Sequence, residues 1–303
     1  MPTHRILGID FFGGTSREAV DEISRTGGLL VAPAAPSMIA LCRDTDYRRA
    51  ILSAQIAIAD SGFMVLLWKL FTGESVPRIS GLEHVKRLLE HETVRQPGAT
   101  LWLVPTETSR EKLIEFLASL EERPPCRLRV ENTDATARVP PSDHLTPSPA
   151  GSVTATSRLP VYVDPSPRDS IQLSAVSSQV FPIYIAPKYG RPVADETLLG
   201  LVRQTRPKHI VVAVGGGIQD KLGHYLLEHL DYRPAIHCIG AALGFITGDQ
   251  VRIPDWADKY YLGWFFRSVA QPKVFIPRFW SARKLPWLIW RYRERLPPLE
   301  KLP

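Results

Sequence analysis

Cysteine is scarce in this chain. Its three cysteines, Cys42, Cys126 and Cys238, lie far apart and form no CxxC pair. Neither a disulfide framework nor a thiolate zinc site is encoded, and a reducing compartment is the expectation. Long apolar runs are missing too: none approaches the ~18 residues that a membrane-spanning helix needs. The opening MPTHRILGIDFF has a short apolar stretch cut by Asp10, without the layout of a secretory signal. A cytoplasmic location follows as an expectation. There is no HExxH, and His224 and His229, five apart, would not share one helix face, so no metal is expected. No GxGxxG follows a strand candidate, which counts against a nicotinamide-dependent oxidoreductase.

What is present is an ordinary globular composition with an uneven charge. Of 303 residues, 44% are hydrophobic and 22% charged, enough for a well-buried core. The net charge of +6 belongs to the C-terminal end: residues 264–303 hold nine Lys or Arg against two acids, so the remainder is close to neutral. The same forty residues hold four of the seven tryptophans, Trp264, Trp280, Trp287 and Trp290. Indole rings beside cations suit the headgroup region of an anionic membrane, where each cation contributes about 1 kcal/mol. A helix packed on the core is the plain alternative. No DNA- or RNA-binding module accompanies the charge, and nucleic acid is not an expected partner.

Along the chain, short apolar runs alternate with helical stretches. Strands are predicted at 5–9, 28–32, 55–59, 99–104 and 127–131. Helices are predicted at 16–24, 45–52, 63–71, 81–91 and 109–121, the third apolar nearly all round and so expected to lie against a sheet. Residues 132–170 break the pattern with seven Pro, six Ser and five Thr, and read as an insertion or linker. The alternation resumes with strands at 181–186, 209–214 and 235–239, helices at 194–204 and 218–230, and a short helix after Gly240. This is the signature of βαβ units. The predicted fold is α/β, a doubly wound, mostly parallel, Rossmann-like sheet with a basic, aromatic-rich C-terminal appendage. Its parts would be 1–131, the insertion 132–170, a second half 171–250 and the appendage 251–303.

In such a sheet ligands bind beyond the carboxyl ends of the strands. The polar residues predicted there are Asp10, Asp60, Gln219 and Asp220, with Gly240-Ala241-Ala242. HIVVAVGGGIQD runs from a strand through Gly215, Gly216 and Gly217 into a helix. It reads either as a phosphate cradle at a helix N-terminus or as a tight turn with no ligand. Asp60 follows IAIA and precedes Ser-Gly and an apolar helix. A carboxylate so placed can take a proton from a substrate hydroxyl, or it can simply cap the helix.

The ordered blocks add to this. ADSGFMVLLWKLFTGESVPRISGLEHV (59–85) resembles the signature of the WecG/TagA/CpsF glycosyltransferases, glycosyltransferase family 26: a PDG motif, an apolar helix, G-K-x-x-x-x-R, and a G-T-D-like segment. Asp60, Gly62, Gly73, Arg78 and Gly81 fall on it in order. Residues 215–220 resemble the family's G-S-P-K-Q-E-like turn. IGAALGFITGDQVRIPDW (239–256), then Leu262, Trp264 and Arg267, resembles its third block. The resemblance implies an inverting, metal-independent glycosyltransferase without cofactor. The donor would be a UDP-sugar, commonly UDP-N-acetylmannosamine, and the acceptor a polyprenyl-diphosphate-linked sugar, in cell-surface polysaccharide synthesis. It implies Asp60 as general base, with Arg78 and Gln219 as further catalytic residues. Gly62, Gly215, Gly216, Gly217, Asp220, Gly240 and Ala241 would hold the donor. Arg252, Arg267, Arg278 and Trp264 would meet the diphosphate or the membrane. The protein would be peripheral at the inner membrane face, and an oligomer is compatible with the sequence. The family's T-x-N motif has no counterpart in APAAPSM (32–38), which leaves a catalytically silent, nucleotide-sugar-binding homologue as the alternative.

Overall fold

The computed structural model describes residues 2–121, 181–240, 242–248, 277, 280 and 282–300. The elements in chain order are β1 (Thr3–Ile6), β2 (Ile9–Phe12), α1 (Ser16–Thr26), β3 (Gly28–Val31), α2 (Ala35–Ala40), α3 (Thr45–Leu52), β4 (Ile56–Ala57), α4 (Gly62–Thr72), α5 (Gly81–Glu90), α6 (Glu92–Arg95), β5 (Thr100–Val104) and α7 (Glu107–Glu121). They continue with β6 (Ile183–Ile185), α8 (Glu196–Thr205), β7 (His209–Val212), α9 (Ile218–His229), β8 (Ala235–Cys238), α10 (Ala242–Thr247) and, beyond a 3-10 turn at Ala282–Lys284, α11 (Leu285–Tyr292). Eight strands form one sheet in the order β1-β2-β4-β3-β8-β7-β5-β6. Every neighbouring pair is parallel except the β1–β2 hairpin. The α/β, Rossmann-like expectation therefore holds. The predicted strand at 127–131 lies outside the described residues.

Alternation along the strands builds two cores. Leu29 and Val31, Leu101 and Leu103, Ile210 and Val212 face one way; Leu30, Trp102 and Val211 face the other. Helices α2, α3, α4, α8, α9 and α11 cover the first face, while α1, α5, α7 and α10 cover the second. Strands buried on both faces must be apolar at nearly every position, as these are. Helix α9 sits deepest over the centre. A methyl group at Gly223 would lie 2.6 Å from the Leu29 side chain and 2.8 Å from the sulfur of Cys238, so only glycine lets this helix approach β3 and β8.

Three expectations need correction. The predicted strand 5–9 is a hairpin: β1 turns at Leu7-Gly8 and returns as β2. Leu7 (φ 50°) and Gly8 (φ 81°) both take left-handed backbone, and leucine gives no sign of it in the sequence. Asp10 consequently lies within β2 opposite Arg5, 3.8 Å away across the pair, and not at the end of a strand. Helix α4 lies against the sheet as expected, burying Met64, Val65, Leu67 and Trp68, and it leaves Leu66 and Leu70 exposed. The C-terminal segment is in part structural. Leu285, Leu288 and Ile289 of α11 are buried in the core, and Leu7 and Gly8 donate their N–H groups to the carbonyls of Arg293 and Glu294 at 2.7 and 2.8 Å. Farther along, Arg48 donates to the carbonyl of Pro297 at 2.7 Å and Glu300 pairs with Arg43 at 2.8 Å.

Beneath α5 the second core contains a chain of histidines. His84 on α5 meets His237 on β8 at 3.1 Å, and His237 meets His209 on β7 at 3.3 Å. His209 reaches the hydroxyl of Thr93 at 2.7 Å, which reaches His91 at 2.8 Å, and Asp21 lies 3.6 Å from His91. The rings pair along this chain while they stay neutral, and only His84 Nδ1, at its end, is left without a partner among the described residues. Burial pushes His84 and His209 down to about 4, and with the neighbouring rings pushes His237 well below its ordinary value.

Because these folded-state values lie below the ordinary 6.5, the unfolded chain binds more protons between them. Stability is complete above pH 6.5 and is lost as pH falls toward 4, by roughly 1.4 kcal/mol per pH unit for each ring held neutral. The urea midpoint should drop steadily over that window. In His237→Gln, with one such ring fewer, the slope should be shallower; an unchanged slope would contradict the assignment.

Candidate functional site

The four central strands, β4, β3, β8 and β7, are parallel and end at one edge of the sheet. Residues from the segments after them meet around Ile239-Gly240, at the end of β8. On one flank stands Asp60. Its neighbour Ser61, not Asp60, caps α4: the Ser61 hydroxyl accepts the N–H of Met64 at 3.3 Å. The Asp60 carboxylate instead accepts the N–H of Gly81, the first residue of α5, at 2.9 Å. That N–H has no partner within its own helix, and a helix N-terminus favours a negative charge. Arg78 donates its Nε to the carbonyl oxygen of Asp60 at 3.1 Å, which fixes the main chain beneath the carboxylate. Gly81 is itself hemmed in: a methyl group there would lie 3.1 Å from Ala242 and 3.5 Å from the carbonyl oxygen of Ile239. The short α5–β8 approach therefore seats the carboxylate beside the end of β8.

On the other flank stands Gln219, the second residue of α9, buried at 3% exposure. Its Nε2 donates to the carbonyl of Cys238 at 3.2 Å, and the thiol of Cys238 donates back to the carbonyl of Gln219 at 3.1 Å. Its Oε1 has no hydrogen-bond partner among the described residues and lies 3.1 Å from where a methyl group on Gly240 would be. Gly240 has φ 59°, so the chain turns sharply there over the face of the Gln219 amide. An acceptor oxygen left buried without a donor costs about 1–3 kcal/mol, and a ligand hydroxyl or N–H at the end of β8 would satisfy it.

The glycine turn precedes α9. Gly215 and Gly216 are exposed, and added methyl groups on Gly215 and Gly217 would meet nothing within 4 Å among the described residues; on Gly216 only the Ser37 hydroxyl is near, at 3.7 Å. Of the three, only Gly217, at φ 84°, needs glycine for its backbone. The other two leave main-chain N–H groups open to approach, as a phosphate cradle requires. Asp220, buried at 2% exposure, accepts the Gly217 N–H at 3.2 Å through Oδ2, and its Oδ1 has no partner among the described residues. Burial pushes its carboxyl up to about 7, against the pull of the Gly217 N–H, its own N–H, the Gln219 side chain and Lys221.

The structure thus brings Asp60, Arg78, Gln219, Gly240 and, through α9, the glycine turn and Asp220 to one edge. Gly62 opens α4 next to the cap. Asp10 is not part of this group. Ala241, Arg252, Trp264, Arg267 and Arg278 lie outside the described residues. Sequence reasoning missed Ser37, whose hydroxyl faces Gly216 from the start of α2 in the segment without the T-x-N motif. It also missed the chain through His84, three residues beyond Gly81 on α5. The four histidines stand at 84, 91, 209 and 237, and no spacing in the sequence joins them.

Comparison with known proteins gives one family. The model described as Glycosyl transferase WecG/TagA/CpsF family matches residues 4–123 and 172–300. No curated protein matches the chain.

The turn at Gly240 should be sensitive to a methyl group and the turn at Gly216 should not. Gly240→Ala places a side chain in left-handed backbone and against Gln219, and a loss of about 1–2 kcal/mol is expected from the backbone alone. Gly216→Ala should leave the urea midpoint where it is. Equal midpoints for both variants would contradict the geometry.

Proposed function

The chain belongs to the WecG/TagA/CpsF family of glycosyl transferases, and from that premise we propose that it moves a hexosyl group from a UDP-sugar to a polyprenyl-diphosphate-linked sugar. Asp60 is the general base. Its Oδ1 is held by Gly81, and its other oxygen takes the proton of the acceptor hydroxyl. The hydroxyl oxygen forms the new bond to the anomeric carbon from the face opposite the diphosphate. The bond from that carbon to the diphosphate oxygen breaks, the electron pair leaves with the nucleotide diphosphate, and the centre inverts. The leaving charge is received at the free N–H groups of Gly215 and Gly216 and the N-terminus of α9, dipoles already in place before the reaction. Gln219 offers Oε1 to a donor hydroxyl or N–H. No resident metal or cofactor has a part in this reading, because the nucleotide diphosphate is already a good leaving group. The observation that carries the proposal is the seating of the Asp60 carboxylate on the Gly81 N–H beside Ile239-Gly240, with the Gln219 amide across the same two residues.

The site belongs at a membrane surface. Trp287 and Trp290 of α11 are 54% and 57% exposed on the side away from the core, Trp280 is exposed just before it, and the exposed Leu66 and Leu70 lie on α4, which packs against α11. Arg283, Lys284, Arg291, Arg293 and Arg295 accompany them. No helix among the described residues is long and apolar enough to cross a membrane. An apolar face edged with cations suits peripheral binding to anionic lipid, on the cytoplasmic leaflet where the lipid-linked acceptor is presented.

Two experiments test these readings. In a donor screen with a lipid-diphosphate-sugar acceptor, Asp60→Asn should lower kcat by about 10²- to 10⁴-fold, the usual contribution of a general base, with UDP affinity kept. Full transfer by the variant would remove Asp60 from its role, and UDP binding without turnover of any donor would favour a catalytically silent homologue. In co-sedimentation with phosphatidylglycerol vesicles, binding should weaken with salt and fall in the double variant Trp287→Ser, Trp290→Ser. Equal sedimentation of variant and parent would reject the membrane face.

A further inference from the structure

The glycine turn offers N–H groups to an anion, yet one of them is already held by an acid. Gly217 donates to Oδ2 of Asp220 at 3.2 Å, and Asp220 stands at the third position of the helix whose N-terminus would receive a diphosphate. Two anions would then compete for one short stretch of backbone. With both ionised, their repulsion would act in a buried setting where the counter-field of water is weak. A carboxylic acid in place of the carboxylate removes that conflict and turns an acceptor into an O–H donor.

The surroundings of Asp220 do little to hold it ionised. Lys221, its neighbour, turns its ammonium to Asp44 at 3.0 Å. From α3 Tyr47 faces it, and from β8 Cys238. Burial and the nearby Asp220 charge push both the Tyr47 hydroxyl and the Cys238 thiol well above their ordinary values, so both stay neutral. Asp220 Oδ1 has no partner among the described residues, and the neighbouring Gln219 Oε1 is in the same condition at the end of β8. Two buried, unpartnered oxygens beside open, exposed glycines are what a polar ligand would complete.

We infer that a diphosphate bound at the Gly215–Gly217 turn takes up one proton, at Asp220, so that this buried acid sets the affinity for the departing nucleotide. The inference rests on the glycosyltransferase reading for the place of the diphosphate but does not depend on which sugar or base it carries. Free Asp220 titrates near pH 7, and a bound anion raises that value further. Above pH 7 each lost proton must be restored on binding, so affinity falls as pH rises. During turnover the proton would be held while the nucleotide diphosphate occupies the turn and released with it.

The test is titration calorimetry of the full chain with inorganic pyrophosphate and with UDP, between pH 7 and 9, in HEPES and in Tris. The UDP terminal phosphate titrates near pH 6 and so contributes little in this range, whereas pyrophosphate loses its last proton within it, so its proton uptake is read as the difference between the parent and Asp220→Asn. For UDP and the parent, Kd should rise by up to tenfold per pH unit, and above pH 8 the apparent heat should differ between the buffers by nearly the difference of their ionisation heats. Asp220→Asn keeps an oxygen for the Gly217 N–H without the charge: its Kd for UDP should be flat with pH and its UDP heats equal in the two buffers. UDP or pyrophosphate binding by the parent with no more proton uptake than Asp220→Asn shows, or an unchanged pH dependence in Asp220→Asn, overturns the inference while leaving the sugar-transfer reading intact. UDP bound no more tightly than pyrophosphate, with uptake present, sustains the inference and counts against the UDP-sugar reading. Binding of neither ligand overturns both.

Discussion

The structure depends on how closely three elements approach the end of β8. Gly81 lets α5 come against Ala242 and the carbonyl of Ile239, Gly240 turns the chain across the Gln219 amide, and Gly223 lowers α9 onto β3 and β8. Each contact leaves no room for a methyl group, or room only with displacement. The consequence is chemical as well as steric. Two helices point their N-termini toward the same edge from opposite faces of the sheet, α5 at Asp60 and α9 at the glycine turn. One positive end is satisfied by a fixed carboxylate, while the other keeps exposed glycines beside it. A base on one side and an anion cradle on the other, the roles proposed for them, is the division of labour that displacement of a diphosphate requires.

The two acids of this edge differ because their environments differ. Asp60 is half-buried and bound through a main-chain N–H from another helix. Asp220 is almost fully buried, accepts an N–H of its own turn and faces neutral groups, so its carboxyl is pushed up to about 7. The same residue type is thus an ionised acceptor in the role proposed for Asp60 and a proton reservoir in the role inferred for Asp220. Similar reasoning separates the histidines from catalysis. His84, His209 and His237 are held neutral by burial and by each other, and their chain couples α5 to β7 and β8. It keeps the helix that carries Gly81 in register with the strand beside which Asp60 must sit.

Much of this was legible in the sequence because the physics was local. Helix α3 lies at the predicted residues 45–52, and β3, β5, β7 and β8 lie within the predicted runs, since a strand covered on both faces must be apolar without interruption. The strand-to-helix turn at Gly215–Gly217 and the placement of Gln219 and Asp220 just beyond it were readable for the same reason. The hairpin was not, because its turn needs positive φ at Leu7, and what stabilises it is the C-terminal backbone at 293–294, far away in sequence. Whether Asp60 capped α4 or faced the crevice could not be read locally either. Ser61 takes the cap, and the partner of Asp60 lies 21 residues on. The histidine chain depends on sheet register: His237 pairs with Val211, two residues beyond His209, so both rings stand on one face.

The C-terminal segment shows why charge and composition alone could not decide its role. The membrane reading and the core-packing reading looked like alternatives, yet a single helix packs on the core with one face and leaves the other free for the proposed membrane contact. Leu285, Leu288 and Ile289 occupy one face of α11 and are buried, while Trp287 and Trp290 on the other face are left to solvent. The buried face also positions the exposed one, because α11 packs on α4, whose N-terminus begins just after Asp60. Helix α4 is therefore a rigid strut, eleven residues long, between the aromatic surface and the base. In the proposed function, where the acceptor comes from a lipid and Asp60 is the base, that base needs a fixed distance from the membrane plane. Docking the outer helix on this strut, with Leu66 and Leu70 exposed along it, would set that distance through packed side chains.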